Sequence, residues 1–269
     1  VAELAELAVV VPLVATGAAY ASGVRRAWRV AGRGRLVTGA QARCFAAALV
    51  ALAAALLPPL AGRAGHSLAA HMVQHVLLLV VAGPLLALGA PLPALLWALP
   101  GQGRAWGSVP WRRVLRSHGR RWLAWAGGSL VVASAVMLGW HAPVLYEGAL
   151  HHEVLHALEH ASFLATATAF WWALGLGSTR PRGGAVPVVF LAALPGSALG
   201  AGLTLASHPW YPGYPSLADQ QLAGVVMWAF AGLAYVLIAA ALFGVWLGGV
   251  ERDTPGRPLA TAAPQEVTA

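Results

Sequence analysis

Four histidines fall within ten residues at His151-His152-Glu153-Val154-Leu155-His156-Ala157-Leu158-Glu159-His160, and they open an apolar run long enough to cross a bilayer. On a helix, His152, His156 and His160 lie at i, i+4 and i+8 and share one face. Each step of four advances a helix by about 6 Å, so His160 sits roughly 12 Å deeper than His152. Lipid offers such side chains no hydrogen-bond partner, and they must face the bundle interior, a partner or a cavity. A single imidazole there is accounted for by a hydrogen bond across helices or by a place at the headgroup level. Three on one face point to a metal site. Glu159 lies on the same turn, where its carboxylate can orient a ligating imidazole.

The elements that carry these residues follow from composition. Hydrophobic residues make up 59% of the 269 and charged residues only 10%, which excludes an ordinary soluble domain and predicts an all-α, polytopic transmembrane helix bundle. Hydropathy windows give seven spans, at about 4–23, 42–61, 67–88, 122–141, 153–176, 185–206 and 219–247. They form one membrane domain over residues 1–250, and the polar, proline-containing tail 251–269 is expected to be disordered.

The basic residues are 17 arginines with no lysine, and the net charge is +8. Sixteen of them fall on one side, between Arg25 and Arg43, between Arg104 and Arg121, at Arg180 and Arg182, and at Arg252 and Arg257; Arg63 alone lies on the other. The positive-inside rule then places the N-terminus outside and the C-terminus in the cytoplasm, as an odd number of spans requires. Arginines that mark cytoplasmic loops beside a lipid bilayer make no case for nucleic acid. The single cysteine, Cys44, excludes an internal disulfide or a thiolate cluster. Glu3 and Glu6 stand where a cleavable signal would carry positive charge, and no such signal is expected.

Residues 67–99 are too long for one span and too short for two, and Gly83-Pro84, Pro91 and Pro93 interrupt them. This predicts a kinked third helix and an interfacial piece at 92–99. The following loop, with Trp106 and Trp111 among its arginines, reads as an amphipathic segment on the inner surface or a solvated loop. Pro58-Pro59 and Pro195-Gly196 are expected to kink the second and sixth spans. Gly196 with Gly200, and Ala198 with Gly202, have the small-xxx-small spacing that lets helices approach closely.

With this topology, nine of the ten histidines gather in the outer leaflet or outer loops, and only His118 is cytoplasmic. His71 and His75 lie one turn apart at the outer end of the third span, and His141 ends the fourth. Asp219, Gln220 and Gln221 start the seventh from the same face, with Met227 two turns further in. Asp219 is equally readable as a helix cap, and Met72 and Met227 as packing residues. Together the set offers imidazole, carboxylate and thioether around one outward-opening cavity.

At these residues the chain resembles the CtaG-type cytochrome c oxidase assembly factors of bacteria. The resemblance rests on His71-Met-Val-Gln-His75-Val-Leu-Leu, on Trp140-His141-Ala-Pro-Val-Leu-Tyr146 with Leu155-His156-Ala-Leu-Glu159-His160, on Phe170-Trp171-Trp172, and on Asp219-Gln220-Gln221-Leu-Ala-Gly224 with Met227-Trp228. It implies a multi-pass protein of the bacterial plasma membrane, not an enzyme, that matures haem-copper oxidase. Its implied partners are oxidase subunits and a copper donor, and it implies copper handling at the outer face. Carried onto this chain, the metal-ligand candidates are His71, His75, His141, His156 and His160, with His152, Glu159, Asp219 and Met227 as additional or supporting groups. Copper is the expected ion, and zinc the alternative, since imidazole binds both.

Three other readings compete. His156-Ala-Leu-Glu159-His160 matches the H-x-x-E-H pattern of zinc hydrolases, in which glutamate is the general base. Its sister motif has Gln74 in the glutamate's place, and seven-helix lipid amidases that use three histidines and an aspartate would draw on Asp219. A b-type cytochrome would hold haem between histidines such as His75 and His160. A scaffold would use its histidines only to cross-link helices.

Overall fold

A computed structural model describes residues 2–101, 121–176 and 183–253. The segment with Trp106, Trp111, His118 and the arginines from Arg104 to Arg120 lies outside the described residues, as do Arg180, Arg182 and the tail beyond Asp253. The described residues are helical without a strand: α1 Ala2–Ala31, α2 Gly39–Leu56, α3 Leu60–Ala64, α4 Leu68–Leu88, α5 Pro91–Ala98, α6 Trp122–Trp140, α7 Pro143–His151, α8 Glu153–Ala173, α9 Ala185–Leu205, and α10, running from Leu217 to Asp253.

Capping chemistry sets several of the helix starts. Thr38 and Gln41 form a reciprocal capping box at α2. Ser67 accepts from the Ala70 N–H at the start of α4, and Ser216 from the Asp219 N–H at the start of α10. The expected kink at Pro58-Pro59 is instead an end: α2 stops at Leu56 and the chain restarts as α3. The separate piece expected at 92–99 is the short helix α5, set off from α4 by Ala90 in a left-handed conformation and packed along α1. There Gly23 lies so close to the Ala94 carbonyl that a Cβ has no room.

Among the described residues, six helices are long and apolar enough to cross a membrane: Glu6–Ala31, Gly39–Leu56, Leu68–Leu88, Trp122–Trp140, Ala185–Leu205 and Leu217–Val250. The histidine helix α8 has 21 residues but is not among them, because Glu153, Glu159 and its histidines dilute its apolarity. The burial pattern is that of a protein surrounded by lipid. His71, Gln74, His75, His141, Glu159, His160 and Gln220 are buried, whereas Val11, Val50, Val131, Leu194 and Leu237 face outward.

α4 lies between α2, α8 and α10 and passes Gly83-Pro84 without breaking. A π-helical stretch, Leu77–Ala82, makes this possible. The Gly83 N–H bonds back to Leu78 O, and Pro84 has no N–H, so Leu79 O is left without its helical donor. Trp171 of α8 supplies one, its Nε1–H reaching Leu79 O at 2.9 Å. A second π-helical stretch, Val226–Phe230, interrupts α10. Beside it, Gly200 of α9 and Gly224 of α10 meet backbone to backbone, with Thr204 donating to Gly200 O at 2.8 Å. Gly200 is thus the member of the small-residue pattern that touches the partner helix.

Candidate metal centre

α4 and α8 run side by side, and their i, i+4 pairs point at each other. His71 and His75 from α4 meet His156 and His160 from α8, with Glu159 between them. The ring centroids of His71 lie 4.5 Å from His75, 5.1 Å from His156 and 5.8 Å from His160, and His75 lies 5.4 Å from His160. Glu159 Oε1 is 3.5 Å from His75 Nε2, and its Oε2 is 4.0 Å from His71 Nε2. One ligand atom from each of His71, His156, Glu159 and His160 can be chosen so that all four lie within 4.8 Å of one another.

These atoms are buried and unsatisfied. His71 Nε2, His156 Nε2, His160 Nε2, both nitrogens of His75 and both oxygens of Glu159 have no hydrogen-bond partner. Buried polar atoms in native proteins are normally paired. Glu159 has no exposed surface and, among the described residues, pairs only with imidazoles, and a carboxylate so placed is costly in its charged form unless a cation joins it. Three imidazoles and a carboxylate are a donor set that suits a divalent or monovalent transition metal, so the residues present fit an ion.

The surrounding groups orient the ligands. Tyr214 OH donates to Ala64 O at 2.5 Å, so toward His71 Nδ1, 3.1 Å away, it can only accept, which favours a proton on Nδ1 and a bare Nε2 facing Glu159. Tyr146 OH stands 3.1 Å from the same Nδ1 and competes there as a donor. Tyr211 OH donates to His141 O at 2.8 Å. Tyr211 and Tyr214 belong to the loop between α9 and α10, and burial holds both phenols above the ordinary tyrosine range, so they remain donors.

The Asp219-Gln220-Gln221 motif positions that loop. Asp219 accepts from Ser67 Oγ at 2.7 Å and from the Leu68 N–H at 2.5 Å, tying α10 to the N-terminus of α4. Gln220 accepts from the Trp210 N–H at 2.6 Å and donates to His208 O, and Gln221 donates to Ala206 O. Asp219 is a cap, but of the neighbouring helix and not of its own, and its carboxylate is occupied one turn above His71. Of the other sequence candidates, His141 packs beside His75 at 5.3 Å between centroids, and Met227 is buried in the same core. His152 is the exposed N-cap residue of α8 and lies apart from the cluster. Tyr211 and Tyr214 have no sequence signal beyond the recurrence of aromatic residues in the loop that borders the histidines, and Tyr146 stands in the sequence only as the end of the Trp140-His141-Ala-Pro-Val-Leu-Tyr146 motif.

A family model described as cytochrome c oxidase caa3 assembly factor (Caa3_CtaG) matches residues 18–248. The chain belongs to this family. No curated protein matches it, and no solved structure does. The match takes in every helix that contributes to the cluster, and it extends into α1 and α2, where no motif was recognised from sequence. This caa3-type assembly factor therefore carries its buried histidines within the family's own extent and not in an appended segment.

Proposed function

We propose that the protein handles copper for the assembly of cytochrome c oxidase, holding the ion at the outer face of the membrane among His71, His156, Glu159 and His160 with His75 beside them. The observation that carries this reading is the convergence of buried, unpartnered nitrogen and oxygen atoms from α4 and α8 on one point. Family membership supports the pathway, and the donor set supports the ion: at nitrogen and oxygen sites divalent copper outranks zinc in affinity. α8 crosses the membrane as a seventh span, its polar residues turned onto α4 and away from lipid. The N-terminus is then outside and the arginine-rich loops are cytoplasmic. The bound ion is cargo. The chain's own groups hold it, keep the ligating nitrogens unprotonated through the tyrosines, and exclude water, and oxidase subunits and a copper donor are the exchange partners.

The test is the metal content of detergent-purified protein after Cu(I) loading and desalting. Wild type is expected to retain copper, and His71→Ala/His75→Ala and His156→Ala/His160→Ala are both expected to lose the ion from this cluster. Zinc retained in preference to copper would instead support a hydrolase built on His156, Glu159 and His160. Absence of any retained metal would support a scaffold whose histidines only join helices.

A further inference from the structure

Next to the histidine–carboxylate cluster, a second set of metal-binding atoms meets with different chemistry. His141 follows the last turn of α6, and its Nδ1 lies 2.7 Å from the Met137 carbonyl. A carbonyl only accepts, so on a neutral ring the proton is on Nδ1, and Nε2 carries a bare lone pair. That lone pair faces the thioether of Met72 on α4, with Nε2 to Sδ at 3.4 Å. A thioether also only accepts. Two electron-pair donors therefore confront each other with no proton between them, in surroundings where Met72 has 0% and His141 4% of its surface exposed.

A shared cation satisfies both atoms. For metal–nitrogen and metal–sulfur bonds of about 2.0 and 2.3 Å at a tetrahedral angle, nitrogen and sulfur sit about 3.5 Å apart. The observed 3.4 Å matches two ligands of one ion. His75 adjoins the pair: it is at i+3 from Met72 on the same helix, its ring centroid is 5.3 Å from that of His141, and its Nδ1 has no hydrogen-bond partner.

We propose that Met72, His75 and His141 form a second, soft station for a monovalent copper ion, distinct from the His71–His156–Glu159–His160 cluster. The proposal rests on the reading of that cluster as a copper site. Its three ligands are neutral, and thioether sulfur selects Cu(I) over Zn(II) and Cu(II). A single positive charge is also the less costly one to hold in a dry interior without a counter-charge. The chain has only three methionines, and Met72, Met137 and Met227 all lie in one core cluster. Met137 and Met227 line a cavity of about 70 Å³ that opens beside His75 and His141, so further sulfur surrounds the station. His75 is common to both stations, because its Nε2 lies 3.5 Å from Glu159 Oε1. An ion can thus pass between carboxylate-containing and sulfur-containing surroundings through one shared imidazole.

The experiment is copper K-edge X-ray absorption, with metal content, on full-length detergent-purified protein loaded anaerobically with Cu(I). Wild type is expected to bind two equivalents and to show a sulfur scatterer at about 2.3 Å. Met72→Leu, which conserves volume, is expected to lose the sulfur signal and half the copper, and Cys44→Ser, which removes the chain's one thiol, to keep both. His156→Ala/His160→Ala is expected to keep one equivalent with the sulfur signal enriched. Copper bound by wild type through nitrogen and oxygen alone, or a sulfur signal that survives Met72→Leu, would overturn the soft station and leave the first cluster standing. A wild-type protein that binds one sulfur-ligated copper, unchanged in His156→Ala/His160→Ala, would overturn the first cluster and keep the second. Absence of bound copper would overturn both.

Discussion

Two hydroxyls bear on which nitrogen of His71 is available. Tyr214 gives its proton to Ala64 O and so accepts one from His71 Nδ1, which leaves Nε2 bare toward Glu159, while Tyr146 stands at the same Nδ1 as a competing donor. Tyr214→Phe removes that constraint and leaves Tyr146 as the remaining hydroxyl at Nδ1. Metal affinity, read by competition with a chelator, is expected to fall 10- to 100-fold, the usual effect of losing such an orienting group. Stability should drop by about 1–3 kcal/mol, because the buried Ala64 carbonyl loses its donor. An unchanged affinity would mean that Tyr146 alone sets the tautomer. At this scale the histidines were legible, because imidazoles at i, i+4 on membrane helices have few uses. The tyrosines and Met72 were not. A tyrosine or a methionine in an apolar stretch is ordinary packing material, and only its distance to an imidazole makes it more.

At the scale of elements, α4 and α8 are held in register by a bond that begins with a proline. Pro84 lacks an N–H, the π-helical turn before it strands Leu79 O, and Trp171 of α8 fills the gap. His71 and His75 sit on α4 before this turn, and His156 and His160 on α8 before Trp171. Trp171→Phe is therefore expected to destabilise the protein by about 1–3 kcal/mol, the cost of an unsatisfied buried carbonyl. It should also lower copper retention through misalignment of the two helices; thermal unfolding in detergent and metal content measure the two effects. Loss of copper with unchanged melting would point away from a role in register. Sequence located the interruption at Gly83-Pro84 but not its outcome. Whether a proline kinks a helix, ends it or is absorbed in a π turn depends on contacts from elsewhere in the chain, and Trp171 is 92 residues from Leu79. At Pro58-Pro59 the helix ends, and Gln74 of α4 donates its Nε2–H to Ala55 O, the carbonyl that Pro59 leaves without a helical donor, at 2.6 Å.

At the scale of the molecule, the site occupies the end of the bundle where α4, α8 and α10 begin, while Arg25, Arg26, Arg29, Arg33 and Arg35 lie at the opposite end. In a Cys44→Ser background, Pro212→Cys and Arg35→Cys are both exposed positions. An impermeant thiol reagent applied to whole cells is expected to label the first and spare the second. The reverse pattern would place the cluster on the cytoplasmic side and remove the basis for delivery at the outer face. The all-helical membrane character, the position of most spans and the arginine asymmetry are determined by sequence alone, because bilayer thickness and the cost of moving charge act on each segment separately. The helix boundaries at α5, the cap that Asp219 provides to another helix and the pairing of α4 with α8 are decided by tertiary structure. So is the division of the histidine set, with His152 outside it, Glu159 inside it, and His141 turned to Met72. These are relations between residues far apart in the chain, and no local periodicity encodes which face of one helix will meet which face of another.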